Sequence, residues 1–159
     1  MTTIRVTVRA SLTPVQQAAP AVQQALAQGV VEVIEDVATR ARRNAPVDTG
    51  VVRGAIATKV GTARGVGGLV RGTVYVGSQA PYAQAVDEGS RPHWAPIAPL
   101  KRWAARKLGD ERAAYAVRWA IARRGTRPTH FMRNAIREVV PRATRIINGY
   151  VSRALAALR

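Results

Sequence analysis

The chain contains no cysteine. That excludes disulfide scaffolds, thiol catalysis, zinc knuckles and iron–sulfur ligation. Histidine is almost as scarce: His93 and His130 stand 37 positions apart, too far to form a helical metal pair. No long apolar run occurs either. The longest uncharged stretch, Ala10–Val31, holds five Gln and two Pro, whereas a transmembrane helix needs about 20 mostly apolar residues. No compact apolar segment follows Arg5 and Arg9, so the start does not read as a signal peptide. The expectation is a soluble chain, intracellular where it is made, with no membrane partner. Acidic residues are few as well, 9 against 25 Lys+Arg, which leaves a formal net charge of +16.

What is present is apolar and periodic. With 159 residues, 47% of them hydrophobic, the chain can bury a core and is expected to form a single domain over 1–159. Disorder is not expected of such a composition. The charge is uneven: residues 1–100 carry 10 basic and 6 acidic side chains, residues 101–159 carry 15 and 3. A surface of that kind attracts polyanions, whether nucleic acid, an anionic membrane or an acidic protein face. Yet 22 of the 25 basic residues are Arg and Ala is abundant, so a GC-rich coding bias contributes to the excess.

Periodicity outlines the elements. Ile4–Val8 alternates and reads as a strand. Thr13-Pro14-Val15-Gln16 has the form of a capped helix start. Val15, Ala19, Val22, Leu26, Val30, Val33, Val37 and Ala41 then make one helical stripe running to about Arg43, with Pro20 either bending the helix or beginning it. Ile56–Val60 and Val70–Val76 alternate around the glycine-rich Gly61–Gly68, which predicts a β-hairpin with a long loop. Tyr82–Glu88 reads as a short helix ended by Gly89. Pro99 opens another helix, with Gly109 after it, and Asp110 caps one that reaches Arg124. Thr129 caps the last, whose stripe of Met132, Ala135, Ile136, Val139, Ala143, Ile147, Tyr150, Ala154 and Leu158 lies opposite Arg133, Arg137 and Arg145. Running to the C-terminus it would span roughly 46 Å, so it is expected to bend near Pro141 or to project onto another subunit. The fold class is α+β: a small antiparallel β-sheet, a long N-terminal helix, a helical insertion and a long C-terminal helix. The core covers about 1–92 and 129–159, the insertion about 93–128.

Asp48-Thr49-Gly50 is the triplet of aspartic proteases, but it follows a helix end rather than a hydrophobic strand. The structural reading is preferred, with Asp48 or Thr49 capping a helical turn through Val51–Ala55 and Gly50 permitting a tight turn. The glycine cluster lacks the Gly-Lys-Ser/Thr of a phosphate loop, so Lys59, Arg64 and Arg71 read instead as a hairpin tip able to touch DNA backbone or a lumen. Asp87 and Glu88 near His93 read as exposed charges or a salt-bridge pair. Trp103 belongs to an apolar stripe, while Trp94 in the proline-rich crossing reads as a contact residue. Tyr82, Asp87, Glu88, Arg91 and Trp94 are the candidates for a subunit or partner interface. Arg133, Arg137 and Arg145 form a basic face that could bind phosphate or a partner. No helix-turn-helix, aromatic RNA-binding motif or zinc finger accompanies them. No catalytic, cofactor-binding or metal-binding residue is assigned.

Three segments taken in order are more informative than any one. Ala45-Pro46-Val47-Asp48-Thr49-Gly50-Val51-Val52-Arg53-Gly54-Ala55-Ile56 follows the long helix. Pro81-Tyr82-Ala83-Gln84-Ala85-Val86-Asp87-Glu88-Gly89-Ser90-Arg91-Pro92 follows the hairpin, and Thr129-His130-Phe131-Met132-Arg133-Asn134-Ala135-Ile136 starts the last helix. This order resembles the head–tail joining, or tail-completion, proteins of the neck of long-tailed double-stranded DNA bacteriophages. Ser90 stands where that family usually has Thr, and residues 93–128 are inserted. The resemblance implies a structural virion protein and no enzyme. It would be made in the host cytoplasm and would be a subunit of a homo-oligomeric ring, six copies being one candidate count. The ring would lie between capsid portal and tail, touching neighbouring connector and tail proteins and non-specifically the packaged DNA passing through it. The alternative is a non-specific nucleic-acid-binding protein that uses the basic C-terminal region.

Overall fold

A computed structural model describes residues 4–10, 20–62 and 69–158. In chain order the elements are β1 (Arg5–Ala10), α1 (Pro20–Asn44), α2 (Val51–Gly54), β2 (Ile56–Thr62), β3 (Val70–Val76), α3 (Ala83–Glu88), α4 (Ile97–Leu108), α5 (Ala113–Arg124) and α6 (Phe131–Ala156). The architecture is α+β, as the patterning predicts. The helix start expected at Thr13–Gln16 and the hairpin tip with Arg64 lie outside the described residues.

The sheet has the order β1-β3-β2, antiparallel throughout. β2 and β3 form the expected hairpin, and β1 adds to the free edge of β3 with Arg5 opposite Tyr75 and Arg9 opposite Arg71. Alternation then sorts the side chains into two faces. Val70, Val74, Val76 and Ile56 are buried on one of them, against α1. Gly72 sits at the closest approach: a Cβ there would meet Ile34 Cγ2 at 2.5 Å and Val30 Cγ1 at 2.8 Å. Only glycine lets the helix lie this near the central strand.

The stripe of α1 is wide enough to serve two neighbours. Val22, Leu26, Val30, Val33, Ile34, Val37 and Ala41 are all buried, some against the sheet and the rest against α6. The latter runs antiparallel to α1, its Phe131, Met132, Ala135, Val139 and Val151 buried. A Cβ on Gly29 would stand 3.0 Å from Ile147 Cα, which marks a tight crossing. The last helix therefore packs along α1 within the chain rather than projecting from it. α6 is one helix of 26 residues with an exposed Pro141 inside it, about 39 Å long. It lies along an α1 of nearly equal length, so pairing absorbs the length that a rounder domain could not.

Polar contacts align the pair from one end. Glu138 accepts hydrogen bonds from Arg40 at 2.7 Å and from Asn44 at 3.0 Å, while Asp36 pairs with both Arg40 and Arg142. The Arg40 hydrogen bond holds the Glu138 carboxyl below its usual range, and the same bond raises the Arg40 guanidinium. Farther along, the neighbouring Glu32 carboxylate raises the Tyr150 phenol.

Helix boundaries differ from expectation where prolines and turns intervene. α4 starts at Ile97 rather than at Pro99, because a proline in the first turn costs no helical hydrogen bond. α5 starts at Ala113, after a turn in which Asp110 Oδ1 accepts from the Arg112 amide at 2.8 Å.

Candidate interaction surfaces

The three segments singled out by their order converge on one junction of the fold. The chain leaves α1 and passes through Pro46–Gly50 into α2, with Gly50 at a left-handed φ of 80°. Neither Asp48 nor Thr49 caps that helix, which corrects the expected role. Asp48 instead reaches across the molecule, its Oδ1 accepting from Arg106 Nε at 3.3 Å and its Oδ2 from a terminal nitrogen of Arg106 at 2.6 Å. Lys107 donates to the Val47 carbonyl at 3.1 Å. Thr49 is exposed.

The second segment, α3, feeds directly into the third. Val86 O accepts from the Thr129 amide at 3.1 Å and from its hydroxyl at 2.8 Å, and Asp87 O accepts from the His130 amide at 2.8 Å. Asp87 Oδ1 accepts from the Met132 amide at 3.1 Å. The carboxylate thus satisfies a free N–H in the first turn of α6 and places negative charge at that helix N-terminus. Asp87 is only 6% exposed, so its expected place in a partner interface or a surface salt bridge is corrected. Thr129 is not the cap either. His130 occupies that position with φ 52° and no side-chain cap. Glu88 does lie exposed and accepts from Gln84 at 3.0 Å.

Between α3 and α6 the chain leaves the core as the α4–α5 helical hairpin. Its neck is narrow. Ser90 and Thr126 form an isolated antiparallel bridge, flanked by Gly89 at φ 77° and Gly125 at φ 70°. A Cβ on Gly125 would collide with the Ser90 carbonyl, so the two chains pass at backbone contact distance. Beside the neck, a cavity of about 680 Å³ separates hairpin from core, lined among others by Pro46, Val52, Tyr82, Val86, Trp103 and Ile121. Trp103 is half-buried here, facing the cavity rather than a filled core.

The outer side of the hairpin is aromatic and basic. Trp94 and Trp119 are each 59% exposed and pack edge to face with centroids 5.7 Å apart. Arg118 lies 5.1 Å over the Trp94 ring, and Lys101 5.5 Å over Tyr115. Trp94 is therefore an exposed contact candidate, and the structure adds Trp119, which sequence reasoning passed over. The missed signal was Tyr115 and Trp119 at a spacing of four on α5, a helical face with nothing apolar to meet. Arg91 and Tyr82 are exposed nearby.

The remaining basic candidates separate into two surfaces. Arg133, Arg137 and Arg145 are exposed along α6. Lys59 and Arg71 are exposed on the sheet face away from α1, in adjacent rows of the β2–β3 register.

Among the described residues no helix is long and apolar enough to cross a membrane. No protein-family model, curated protein or solved structure matches the chain.

Proposed function

We propose that this chain is a structural virion protein, a ring-forming head–tail connector or tail-completion subunit of a long-tailed phage, with DNA passing through the ring. The observation that carries the reading is the convergence just described. Residues 82–89 bind 129–132 through the Val86 and Asp87 hydrogen bonds, residues 46–52 and 82–86 line a common cavity, and Val52, Ala83, Phe131 and Met132 belong to one apolar core. Three short motifs that matched only in sequence order thus act as one structural unit. The insertion leaves that unit intact, because it enters and exits through a single bridge.

A ring requires a heterologous contact, in which one patch meets a different patch on the next subunit. The hairpin supports such a role. It leaves Trp94, Trp119, Tyr115 and Leu108 exposed, with Trp94 and Trp119 in contact, and large apolar side chains left together at the surface mark interaction sites. Solution mass measurement with negative-stain imaging tests the reading. Closed rings of one copy number are expected. A chain that stays monomeric at every concentration and binds duplex DNA with steep salt dependence would overturn it in favour of the nucleic-acid-binding alternative.

A further inference from the structure

The sheet face opposite α1 gathers cations and hydroxyls from all three strands. Register places Arg5, Tyr75 and Ala57 in one row, Thr7, Thr73 and Lys59 in the next, and Arg9, Arg71 and Gly61 in the third. The face therefore holds four cations, three hydroxyl side chains and no acid. Rows of paired residues stand about 4.8 Å apart between strands, and alternate residues about 7 Å along them. Arg5, Arg9, Lys59 and Arg71 are exposed, and none has an ion pair among the described residues.

That arrangement is unfavourable in the isolated chain. Like charges directly opposite across a strand pair destabilise a sheet, and Arg9 faces Arg71 in register. Four cations elsewhere, Arg40, Arg43, Arg106 and Arg142, meet carboxylates, and none of those carboxylates lies on this face. An unpaired cationic grid interleaved with Thr and Tyr hydroxyls is the donor set that grips phosphate oxygens, which take hydrogen bonds from Arg, Lys, Thr and Tyr alike. The α6 face is poorer in this respect, with the single hydroxyl Thr144 beside its three arginines.

We propose that the outer face of the β1-β3-β2 sheet, through Arg5, Arg9, Lys59 and Arg71 with Thr7, Thr73 and Tyr75, is a docking platform for the phosphate backbone of duplex DNA. The choice of duplex rests on the connector reading. The placement does not, and it assigns DNA contact to the nearly charge-balanced part of the chain rather than to the strongly basic C-terminal part. Contact is to phosphate and carries no base specificity.

The test is a salt titration of binding to a labelled random-sequence duplex, using the full chain. Each phosphate contact contributes a slope of about −0.9 in log K against log salt. Arg5→Gln/Arg9→Gln/Lys59→Gln/Arg71→Gln should therefore flatten the slope by about 3 to 4 and weaken binding about a thousandfold at 0.1 M salt. Its melting temperature should hold or rise, because repulsion is removed. Should the quadruple variant not fold, Arg9→Gln/Arg71→Gln gives half the slope change. Arg133→Gln/Arg137→Gln/Arg145→Gln should change the slope by less than about 1.

An unaltered slope in the sheet variant, or an equal loss in the α6 variant, overturns the proposal. So does a wild-type chain that ignores DNA, or anionic vesicles captured through this face in place of duplex. Ring formation is measured on the same samples and separates the two readings. Rings with DNA binding indifferent to the sheet face sink this inference alone. Sheet-dependent DNA binding by a permanent monomer sinks the connector reading alone.

Discussion

The long-helix core and the α4–α5 hairpin are built on opposite terms. The core buries large side chains, among them Phe131, Leu26, Ile34 and Met132, between a sheet and two paired helices. The hairpin, from Trp94 to Arg124, buries three alanines, Ala95, Ala104 and Ala114, and leaves two tryptophans outside. Since stabilisation follows apolar area removed from water, the core carries the stability of the molecule. The hairpin holds its place through a one-bridge neck, the Asp48–Arg106 pair and its own helix packing. Partners are therefore to be sought at the hairpin, because the region that buries least apolar surface within its own fold has most to offer a neighbour.

The strongest way to test this contrast is to empty the core. Phe131→Ala removes the largest fully buried side chain and should cost about 3–5 kcal/mol, read as a fall in the denaturant midpoint of the whole molecule. A loss under 1 kcal/mol would mean that the core is not where stability resides. The joint between the regions comes next. Asp87→Ala deprives the Met132 amide of its acceptor and should cost about 1 kcal/mol, with Asp87→Asn losing less because an oxygen remains.

A smaller effect is expected at the hairpin dock. The Asp48–Arg106 pair is substantially exposed, so Arg106→Ala should change global stability by less than about 1 kcal/mol. Hydrogen exchange should speed up in α4 and α5 while α1 and α6 stay protected. Faster exchange in both regions together would show that hairpin and core unfold as one unit.

The subtlest prediction concerns pH. Glu138 has a carboxyl pKa lowered in the folded chain, chiefly by Arg40. A depressed carboxylate stabilises above its unfolded pKa, and that contribution disappears as pH falls through the lower folded value. Wild type should thus outlast Glu138→Gln at neutral pH, and the gap should close on acidification below the ordinary value of 4.5. A gap independent of pH would mean that Glu138 acts through packing instead of charge.

Local pattern made most of the elements legible. The period of two in Val70–Val76 and the period near 3.6 in α1 and α6 each report the face that one element buries. Pattern does not report partners. Nothing in Arg5–Ala10 says that it pairs with β3 rather than with β2, so the gathering of Arg5 and Arg9 with Lys59 and Arg71 was invisible. Asp87 misled for a related reason. A carboxylate beside Glu88 reads as surface charge until a helix N-terminus, 45 residues later, is seen to need its oxygen. Trp119 gave a helical spacing but no indication that Trp94, far away in the chain, would stand against it.

The sequence by itself determined which residues become helix or strand, which faces are apolar, and that positive charge accumulates towards the C-terminus. Those properties depend on neighbours within a few positions, and the chain carries them wherever it lies. Packing in three dimensions is what pairs α6 with α1 along its length, brings residues of the three motifs into one apolar core, and gathers a cationic grid on the sheet. Each of these depends on contacts between residues distant in the chain, and the packing of large side chains around Gly29 and Gly72 selects them. The charge makes the physical point most plainly: net charge is a sum over the sequence, but the electric field at a surface depends on which cations the fold leaves without a carboxylate.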